Sequence, residues 1–334
     1  MEIYLVLGVV LYVSIVLDII QTTLSMRGGG WLTSRFSHLF WKFFLVLSGR
    51  NGRSKILTHA GYILLISIVM IWVFLMWTSL VLILFSQPGA IIDSTTMVPA
   101  NLWQIIYYSG YAISTLGMGD YIASGDVWRV LSSIYSFTGL ILLTMSVTYF
   151  IPVLSAVIEQ RKLGINLSTL GDTPQEIVLN AWNGKDFQRF TDKIEGVANS
   201  IIKYSQQHRA YPVIHYFHNN KQKSSVVLQL ARLYEALTIL AEKIKEDDRP
   251  LEQELKPLII AFENYFETIS EVTHITLMDN EPPAIDVREL IEKRLIGKGE
   301  NRQLSNNIKK DRKFFKSLLY QDGWEWKDVD TKNS

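Results

Sequence analysis

Three long apolar stretches restrict what this chain can fold into. Residues 3–24, 60–85 and 130–158 are each long enough to cross a bilayer, which takes about 20 mostly apolar residues. The second and third stretches contain no charged side chain. A soluble protein with buried helices is the alternative, but the core helices of soluble proteins rarely lack charge over such a length. The sequence therefore predicts a membrane protein with three transmembrane helices.

The first apolar stretch, residues 3–24, poses two questions. It has neither the basic start nor the small-residue cleavage site of a signal peptide, so we expect a retained transmembrane helix. It also contains Asp18, and a carboxylate is costly in lipid. Either Asp18 lies near the membrane edge or it faces a protein partner. The helix geometry allows the edge, which is the interpretation we favour.

The charged residues between the apolar stretches predict the orientation. Residues 25–59 contain six lysines and arginines, Arg27 among them, and no acidic residue, whereas residues 87–126 contain three aspartates and no basic residue. Loops rich in Lys and Arg stay in the cytoplasm. We therefore expect a multi-pass protein of the cell (plasma) membrane with its N-terminus outside and its C-terminal half in the cytoplasm.

Glycines alternate with larger residues in the segment 114–121, which reads Ser-Thr-Leu-Gly-Met-Gly-Asp-Tyr. Gly adopts positive φ without a Cβ clash, so the backbone dihedrals can alternate between right- and left-handed regions and successive carbonyls can point the same way. Irregular backbone at membrane depth is tolerated only where it is buried in protein or lines a water-filled path. A row of carbonyls is also what replaces the water shell of a cation in a selectivity filter.

Six residues of this segment resemble the TVGYGD selectivity filter of the tetrameric potassium channel family, in its prokaryotic pore-loop form: Thr115, Leu116, Gly117, Met118, Gly119 and Asp120. The resemblance implies that residues 102–113 form a re-entrant pore helix. It implies that the backbone oxygens of residues 115–118, with the Thr115 hydroxyl, bind K⁺. It also implies a homotetramer, because one chain supplies one of the four strands that the ring needs.

Three further residues match positions with roles in that family. Tyr107 and Tyr108 match aromatic residues that support the filter, and Gly139 matches the gating hinge of the inner helix. A close helix contact is the other interpretation of Gly139, since small residues are enriched where membrane helices meet. Pro152 removes a backbone hydrogen bond and is expected to bend the inner end of the same helix, where a gate would lie.

Met118 departs from the family pattern in a way that bears on selectivity. It replaces an aromatic residue, and Met is flexible and lacks a hydrogen-bond donor. We expect passive K⁺ conduction through a homotetrameric pore that the cytoplasmic domain gates. The alternatives are a weakly selective monovalent cation channel and a non-conducting membrane sensor or scaffold.

Apolar residues recur with a helical period in three runs of the C-terminal half, at residues 187–204, 227–244 and 255–272. Strand-like alternation and a G-x-G-x-x-G turn are missing from this half, which argues against a dinucleotide-binding domain. The fold class expected is all-α: three transmembrane helices, a re-entrant pore helix with its filter, and an α-helical cytoplasmic domain.

This fold divides into three predicted domains. Residues 1–59 hold the first transmembrane helix and a helix at 31–47, which either lies in the membrane interface or packs on protein. Residues 60–165 form the pore domain, and residues 166–334 form the regulatory domain, with a linker at 166–171. Near the end, Phe314, Phe315, Leu318 and Leu319 form an apolar stripe, and the last ten residues are expected to fray.

Composition excludes several other functions. The chain has no cysteine, so disulfides and thiol–metal sites are excluded, and its net charge of +1 argues against nucleic acid as a partner. His208, His215 and His218 lack a carboxylate at metal-ligand spacing, so we expect packing or surface roles and no metal beyond K⁺. We expect no organic cofactor and no enzyme activity. The expected partners are membrane lipid, other copies of the chain and an unidentified cytoplasmic ligand or protein.

Overall fold

The structure is a computed structural model that describes residues 1–25, 28–273, 275–297 and 305–332. In this part of the chain the α-helices and strands, in order, are α1 Glu2–Leu24, α2 Trp31–Leu47, α3 Lys55–Phe85, β1 Ile91–Asp93, α4 Leu102–Ile113, β2 Tyr121–Ala123, α5 Asp126–Ser168, α6 Pro174–Ala181, α7 Gln188–Ala210, α8 Val226–Glu242, α9 Glu252–Val272, α10 Arg288–Glu292 and α11 Asn306–Gln321. Helices α1, α3 and α5 are long and apolar enough to cross a membrane. The predicted all-α membrane fold is confirmed.

Two membrane helices are longer than the apolar stretches that predicted them. Helix α3 begins at Lys55, before the predicted start near residue 60, and α5 runs to Ser168. The predicted linker at 166–171 is therefore partly helical, and the connection to α6 is residues 169–173. Leu163 and Leu167 explain the extension of α5, because they are four residues apart and both are buried.

Arg27, one of the basic residues used to predict the orientation, lies outside the described residues.

The chain divides into two compact units. The first consists of Met1–His38 and Ile63–Val153, and the second of Leu39–Tyr62 and Leu154–Ser334. The division falls within α2, α3 and α5, so each of these helices contributes residues to both units.

In the first unit, α1 packs closely against α3 at Gly8. A Cβ atom there would lie 2.5 Å from Ile83 Cγ1 and 2.9 Å from the Ser79 carbonyl oxygen, so the helices meet where a side chain is missing. Ser79 Oγ donates to the Gly8 carbonyl at 2.8 Å, which uses its proton. The Tyr135 hydroxyl of α5, 2.5 Å from Ser79 Oγ, is therefore the donor in that pair.

A second polar contact joins α1 to α5. The Tyr12 hydroxyl lies 2.7 Å from Thr138 Oγ1, which itself donates to the Ile134 carbonyl, so Tyr12 is the donor. Thr138 directly precedes Gly139, the residue predicted as a hinge. Helix α1 therefore contacts the inner helix beside that glycine.

Asp18 is buried inside the protein, where it faces backbone and side-chain donors of its own chain, and its placement near the membrane edge remains a prediction. Its carboxylate is inaccessible to solvent and accepts four hydrogen bonds. Two come from the backbone N–H groups of Leu32 and Thr33 in the first turn of α2, at 2.9 and 3.2 Å, one from Thr33 Oγ1 at 2.5 Å, and one from Trp72 Nε1 of α3 at 2.9 Å. A carboxylate at a helix N-terminus satisfies free N–H groups and is stabilised by the helix dipole. Asp18 thus ties together α1, α2 and α3.

We expect Asp18→Asn to lower the melting temperature of the purified protein in detergent. The amide presents a donor to groups that are themselves donors, and hydrogen bonds to a charged group contribute about 1.5–3 kcal/mol each. Glu2→Gln is the matched control, because it makes the same charge change at the exposed start of α1. Equal melting temperatures for the two variants would contradict the bonding of Asp18.

The second unit is built around α8, in which every residue from Val226 to Leu240 is buried. Helices α7 and α9 pack along each other, and α6 and α11 pack on α8. A buried ion pair joins Glu235 of α8 to Arg312 of α11 at 2.7 Å. The three helices predicted from the periodic runs are present as α7, α8 and α9, and the predicted apolar stripe of α11 is buried.

The C-terminal segment is packed, so the expected fraying of the last ten residues is wrong for those that the structure describes. Trp326 and Val329 are buried. The buried Arg232 guanidinium of α8 donates to the carbonyls of Asp328 and Thr331, both at 2.8 Å. No periodic pattern marks this segment, because it is fixed by backbone carbonyls and single aromatic rings.

Helix α2 has a protein-facing side and an exposed apolar side. In the second unit Trp41 and Leu45 are buried, and Trp41 Nε1 donates to the Gln321 carbonyl at 2.9 Å. Leu39 and Phe43 on the other side are exposed. The buried side is expected of a helix that packs on protein, and the exposed apolar side is expected of a helix in the membrane interface.

His218 is buried between the loop that joins α2 to α3 and the segment after α11. Its Nε2 lies 2.6 Å from the Gly52 carbonyl oxygen, and its Nδ1 lies 2.9 Å from the Asp322 carboxylate. Carbonyls and ionised carboxylates only accept, so this geometry fits an imidazolium that donates from both nitrogens. Burial by itself lowers the pKa of His218, but the Asp322 carboxylate and the Gly52 carbonyl outweigh burial and raise the pKa above its usual value.

We expect His218→Gln to destabilise the protein more at about pH 6 than at about pH 9. The folded-state pKa of His218 is raised above the unfolded value of about 6.5, so its contribution to the free energy of unfolding is complete below that value and is lost as pH rises through the folded pKa. Melting temperatures of wild type and variant across this range are the measurement. His59→Gln, at an exposed histidine of the same unit, is the control. If the difference in melting temperature between wild type and His218→Gln widens with pH, His218 does not donate from both ring nitrogens as described.

Candidate functional site

The site begins with α4, a twelve-residue helix that is too short to cross a membrane. Asn101 caps its start: Asn101 Oδ1 accepts from the Gln104 N–H at 3.1 Å, and Gln104 Oε1 accepts from the Asn101 N–H at 2.7 Å. This reciprocal pair is a capping box. Trp77 of α3 donates from Nε1 to the Ile106 carbonyl at 2.9 Å, which fixes α4 against α3.

The segment that follows α4, residues 115–120, is a non-helical strand that belongs to no sheet, and the handedness of its backbone alternates. Thr115, Gly117 and Gly119 have φ values of 59°, 57° and 81°, and Leu116 and Met118 between them lack positive φ. A β-branched residue such as Thr is rarely found at positive φ, where a left-handed conformation costs about 1–2 kcal/mol. Backbone strain of this kind persists only where the surroundings hold it, and it concentrates at functional sites.

Space does not explain the two glycines in this strand. A Cβ atom at Gly117 or Gly119 would meet no heavy atom within 4 Å, so the positive φ is what favours glycine there. All residues from Ser114 to Asp120 are exposed in the single chain. The six residues predicted as a filter therefore form one open strand whose backbone is accessible.

Hydrogen bonds hold the start of this strand to the end of α4. The Thr115 N–H donates to the Ala112 carbonyl at 3.2 Å, and the Leu116 N–H donates to the Tyr111 carbonyl at 2.9 Å. Ser136 Oγ of α5 donates to the Ala112 carbonyl at 2.7 Å. The turn into the strand is thus fixed by α4 and by the inner helix.

Tyr107 and Tyr108 lie beside the strand and contact different elements. The Tyr108 hydroxyl donates to Ser132 Oγ of α5 at 2.7 Å and is buried. The Tyr107 ring meets the rings of Tyr111 and Tyr121 edge to face, with centroids 5.2 and 6.2 Å apart. Such edge-to-face pairs favour a defined ring orientation.

Tyr111 is a residue that the sequence analysis missed. Its hydroxyl donates to the Tyr121 carbonyl, directly after the strand, and its ring also packs edge to face on Tyr108. Met118 has no hydrogen-bond donor to anchor the strand, and Tyr111 supplies one from α4 instead. The sequence pattern that could have identified Tyr111 is its spacing of four residues from Tyr107, because residues four apart lie on one face of a helix.

A short two-stranded sheet holds the far end of the strand. Strands β1 and β2 pair antiparallel, and the Ser94 N–H donates to the Asp120 carbonyl at 2.9 Å. Asp93, at the end of β1, accepts from the backbone N–H groups of Thr96 and Thr95, and these hydrogen bonds lower the pKa of its carboxyl. The loop outside the membrane helices is therefore an ordered support for the strand.

Gly139 lies directly against the end of α4. A Cβ atom there would overlap the Ile113 carbonyl oxygen, so the inner helix and α4 approach where the side chain is missing. The close contact is present, and the hinge remains a prediction. Pro152 lies within α5, thirteen residues further on, which is about 20 Å along a helix, so it is not part of this cluster.

Comparison with known proteins agrees with this architecture. Residues 70–156, which cover the second half of α3, α4, the exposed strand and most of α5, match the ion channel family. The chain is also 32% identical over 326 residues to the uncharacterized membrane protein YdjJ of Bacillus subtilis (strain 168), across 97% of this chain and 95% of that protein. No solved structure matches.

The chain is thus a membrane protein with an ion-channel domain. It belongs to the same family as YdjJ. The match indicates ion transport as the class of activity.

We expect Tyr111→Phe to reduce ion flux through purified protein in liposomes while leaving assembly unchanged. The variant keeps the ring and its packing and removes only the hydrogen bond to the Tyr121 carbonyl, a bond of about 0.5–1.5 kcal/mol. Tyr4→Phe is the control, because Tyr4 is an exposed tyrosine of α1. The same flux in Tyr111→Phe as in wild type would remove Tyr111 from the support of the strand.

Proposed function

We propose that four copies of this chain form a potassium channel, with the strand from Thr115 to Asp120 as its selectivity filter. The observation that carries this proposal is the alternating backbone at residues 115–119, placed directly after a short capped helix. In the proposed filter, the carbonyl oxygens of residues 115–118 and the Thr115 hydroxyl replace the water shell of K⁺. Conduction is passive and needs no organic cofactor.

The pore helix favours a cation at the start of the filter. Its C-terminal end, at Ile113, lies one residue before the filter, and the aligned peptide dipoles of a helix place partial negative charge at its C-terminus. Asp120 adds a carboxylate at the other end, and it is exposed. Both features favour a positive ion over an anion.

Exposure of the filter supports a homotetramer. Leu116 and Met118 are 67% and 58% exposed in the single chain, although their side chains are apolar. Four chains around an axis enclose the carbonyls and cover such side chains with neighbouring subunits, and one strand per chain requires cyclic symmetry. Membrane lipid then contacts the outer faces of α1 and α3.

Met118 supports a second candidate, a weakly selective monovalent cation channel. A filter whose side chains lack hydrogen-bond donors is fixed less firmly to the helices around it, and Met is flexible. The Tyr111 hydroxyl donates to the carbonyl of Tyr121, three residues after Met118, and this hydrogen bond favours the potassium-selective channel. The reversal potential with K⁺ on one side and Na⁺ on the other separates the two candidates.

The cytoplasmic placement of the C-terminal half rests on charge and on contacts within the second unit. Residues 39–62 bond to the C-terminal segment through Trp41 with Gln321 and through the Gly52 N–H with the Gly323 carbonyl at 2.7 Å. These segments lie on one side of the membrane, and the basic residues of 25–59 indicate the cytoplasm. The N-terminus and residues 87–100 are then outside, in the cell membrane.

Gating by the cytoplasmic domain follows from the length of α5. In the second unit its last turns are fixed to α7 and to the loop before α8: Lys203 pairs with Glu159 at 3.1 Å, and a Cβ at Gly164 would lie 2.7 Å from the Ser224 carbonyl oxygen. A rearrangement of this domain therefore pulls on the same helix that carries Gly139 and Pro152. A regulatory ligand would act through its differential affinity for the closed and open states.

We expect Gly117→Ala and Gly119→Ala each to abolish K⁺ flux into liposomes. Alanine at a φ of 57° or 81° is strained, and within one chain its methyl group would meet no heavy atom within 4 Å, so the expected loss comes from the backbone conformation. Gly125→Ala is the control, because Gly125 follows β2 in the same loop region, lacks positive φ and would place its Cβ 3.9 Å from Trp128. Wild-type flux in both filter variants would overturn the filter assignment.

A further inference from the structure

Residues 132–139 of α5 form a short segment whose hydroxyl groups bond to neighbouring helices. Ser132 Oγ accepts from the Tyr108 hydroxyl of α4 at 2.7 Å, and Ser136 Oγ donates to the Ala112 carbonyl of α4 at 2.7 Å. Serine and threonine hydroxyls that bond across helices fix one membrane helix against another. This part of α5 is therefore held against α4.

Tyr12 of α1 makes the polar contact that lies nearest to Gly139. Its ring packs on the Tyr135 ring with centroids 4.6 Å apart, and its hydroxyl donates to Thr138 Oγ1 at 2.7 Å. Thr138 uses its own proton for a bond to the Ile134 carbonyl within α5. The bond between the two helices therefore depends on the proton that Tyr12 supplies.

The hydroxyl groups of α5 that follow Gly139 bond differently. Thr144, Ser146 and Thr148 donate to the carbonyls of residues 140, 142 and 144, which belong to α5 itself. These three bonds leave α5 free of a tie to another helix at their positions. Gly139 thus directly follows the part of α5 whose hydroxyls contact other helices.

The surroundings of Tyr12 make its hydrogen bond hard to replace. Tyr12 is half-buried in the middle of α1, whose sequence around it is apolar apart from Ser14. Lipid offers a hydroxyl no alternative partner, so breaking the bond leaves a polar group unsatisfied. The bond therefore stabilises the described position of Thr138 relative to any position in which α5 has moved away from α1.

We propose that Tyr12 is a positioning residue for gating: through Thr138 it holds the inner helix directly before Gly139, so that α1 biases the equilibrium between the closed and open states. This inference rests on the proposed channel function and adds a role for the N-terminal helix. It concerns the first unit alone, because Tyr12, Thr138 and Gly139 all belong to that unit.

Single-channel recording of the full-length protein in planar bilayers tests this role, with Tyr12→Phe, Thr138→Val and the double variant. Each single variant removes the same bond between helices and nearly keeps the shape of its side chain. We expect each to change the ratio of open to closed time by about threefold or more, in the same direction, which matches an average hydrogen bond between membrane helices. The double variant should show no larger change than the stronger single variant, because one bond can be removed only once.

Tyr4→Phe and Thr78→Val are the matched controls, and both should keep the wild-type ratio of open to closed time. Tyr4 is an exposed tyrosine of α1, and Thr78 Oγ1 of α3 donates to the Phe74 carbonyl within its own helix. Single-channel conductance and reversal potential should equal those of wild type in every variant, because residues 115–119 are unchanged. A conductance that falls together with the open time would indicate general damage and would overturn the positioning role.

Two further outcomes separate this inference from the proposed function. Wild-type gating in Tyr12→Phe and Thr138→Val, or single effects that add in the double variant, would overturn the role of Tyr12 and leave the filter assignment standing. The absence of K⁺ current from the wild-type protein would overturn the proposed function, and the role of Tyr12 with it.

Discussion

The first unit depends on one constraint, which is that non-helical backbone at membrane depth must be held in place by the helices around it. The strand after α4 has exposed carbonyls and a threonine at positive φ, and neither feature is stable by itself. Helix α4 and Ser136 hold its start, and Ser94 holds its end. Glycine at 117 and 119 then lets the backbone alternate without further strain.

Helix α1 contacts the helices that surround the strand. Gly8 brings α1 close to α3, and Asp18 fixes the first turn of α2 and Trp72 of α3 with one carboxylate. Tyr12 reaches Thr138, next to Gly139. The additional N-terminal helix is thus bonded to both helices of the ion-channel domain, and a movement of the inner helix at Gly139 would have to break or carry along the Tyr12 contact.

Much of this fold was predictable from local pattern, since long apolar runs and a helical period are properties of neighbouring residues. Helices α1, α3, α5 and α7–α9 follow from such patterns, and the start of α4 follows from the cap at Asn101. Other features depend on residues distant in sequence. Asp18 meets its donors 14 to 54 positions away, and His218 meets Asp322 across 104 positions. Strands β1 and β2 have three residues each, too few for an alternating pattern to be recognised.

Selective conduction requires that K⁺ ions sit between the carbonyl oxygens of residues 115–118 of four chains. Anomalous diffraction at long wavelength, from crystals of the protein grown in K⁺, locates such ions directly. The proposed function predicts a row of anomalous peaks on a fourfold axis, each surrounded by carbonyl oxygens of Thr115, Leu116, Gly117 or Met118. An assembly without fourfold symmetry, or a fourfold axis without peaks at these carbonyls, would contradict it.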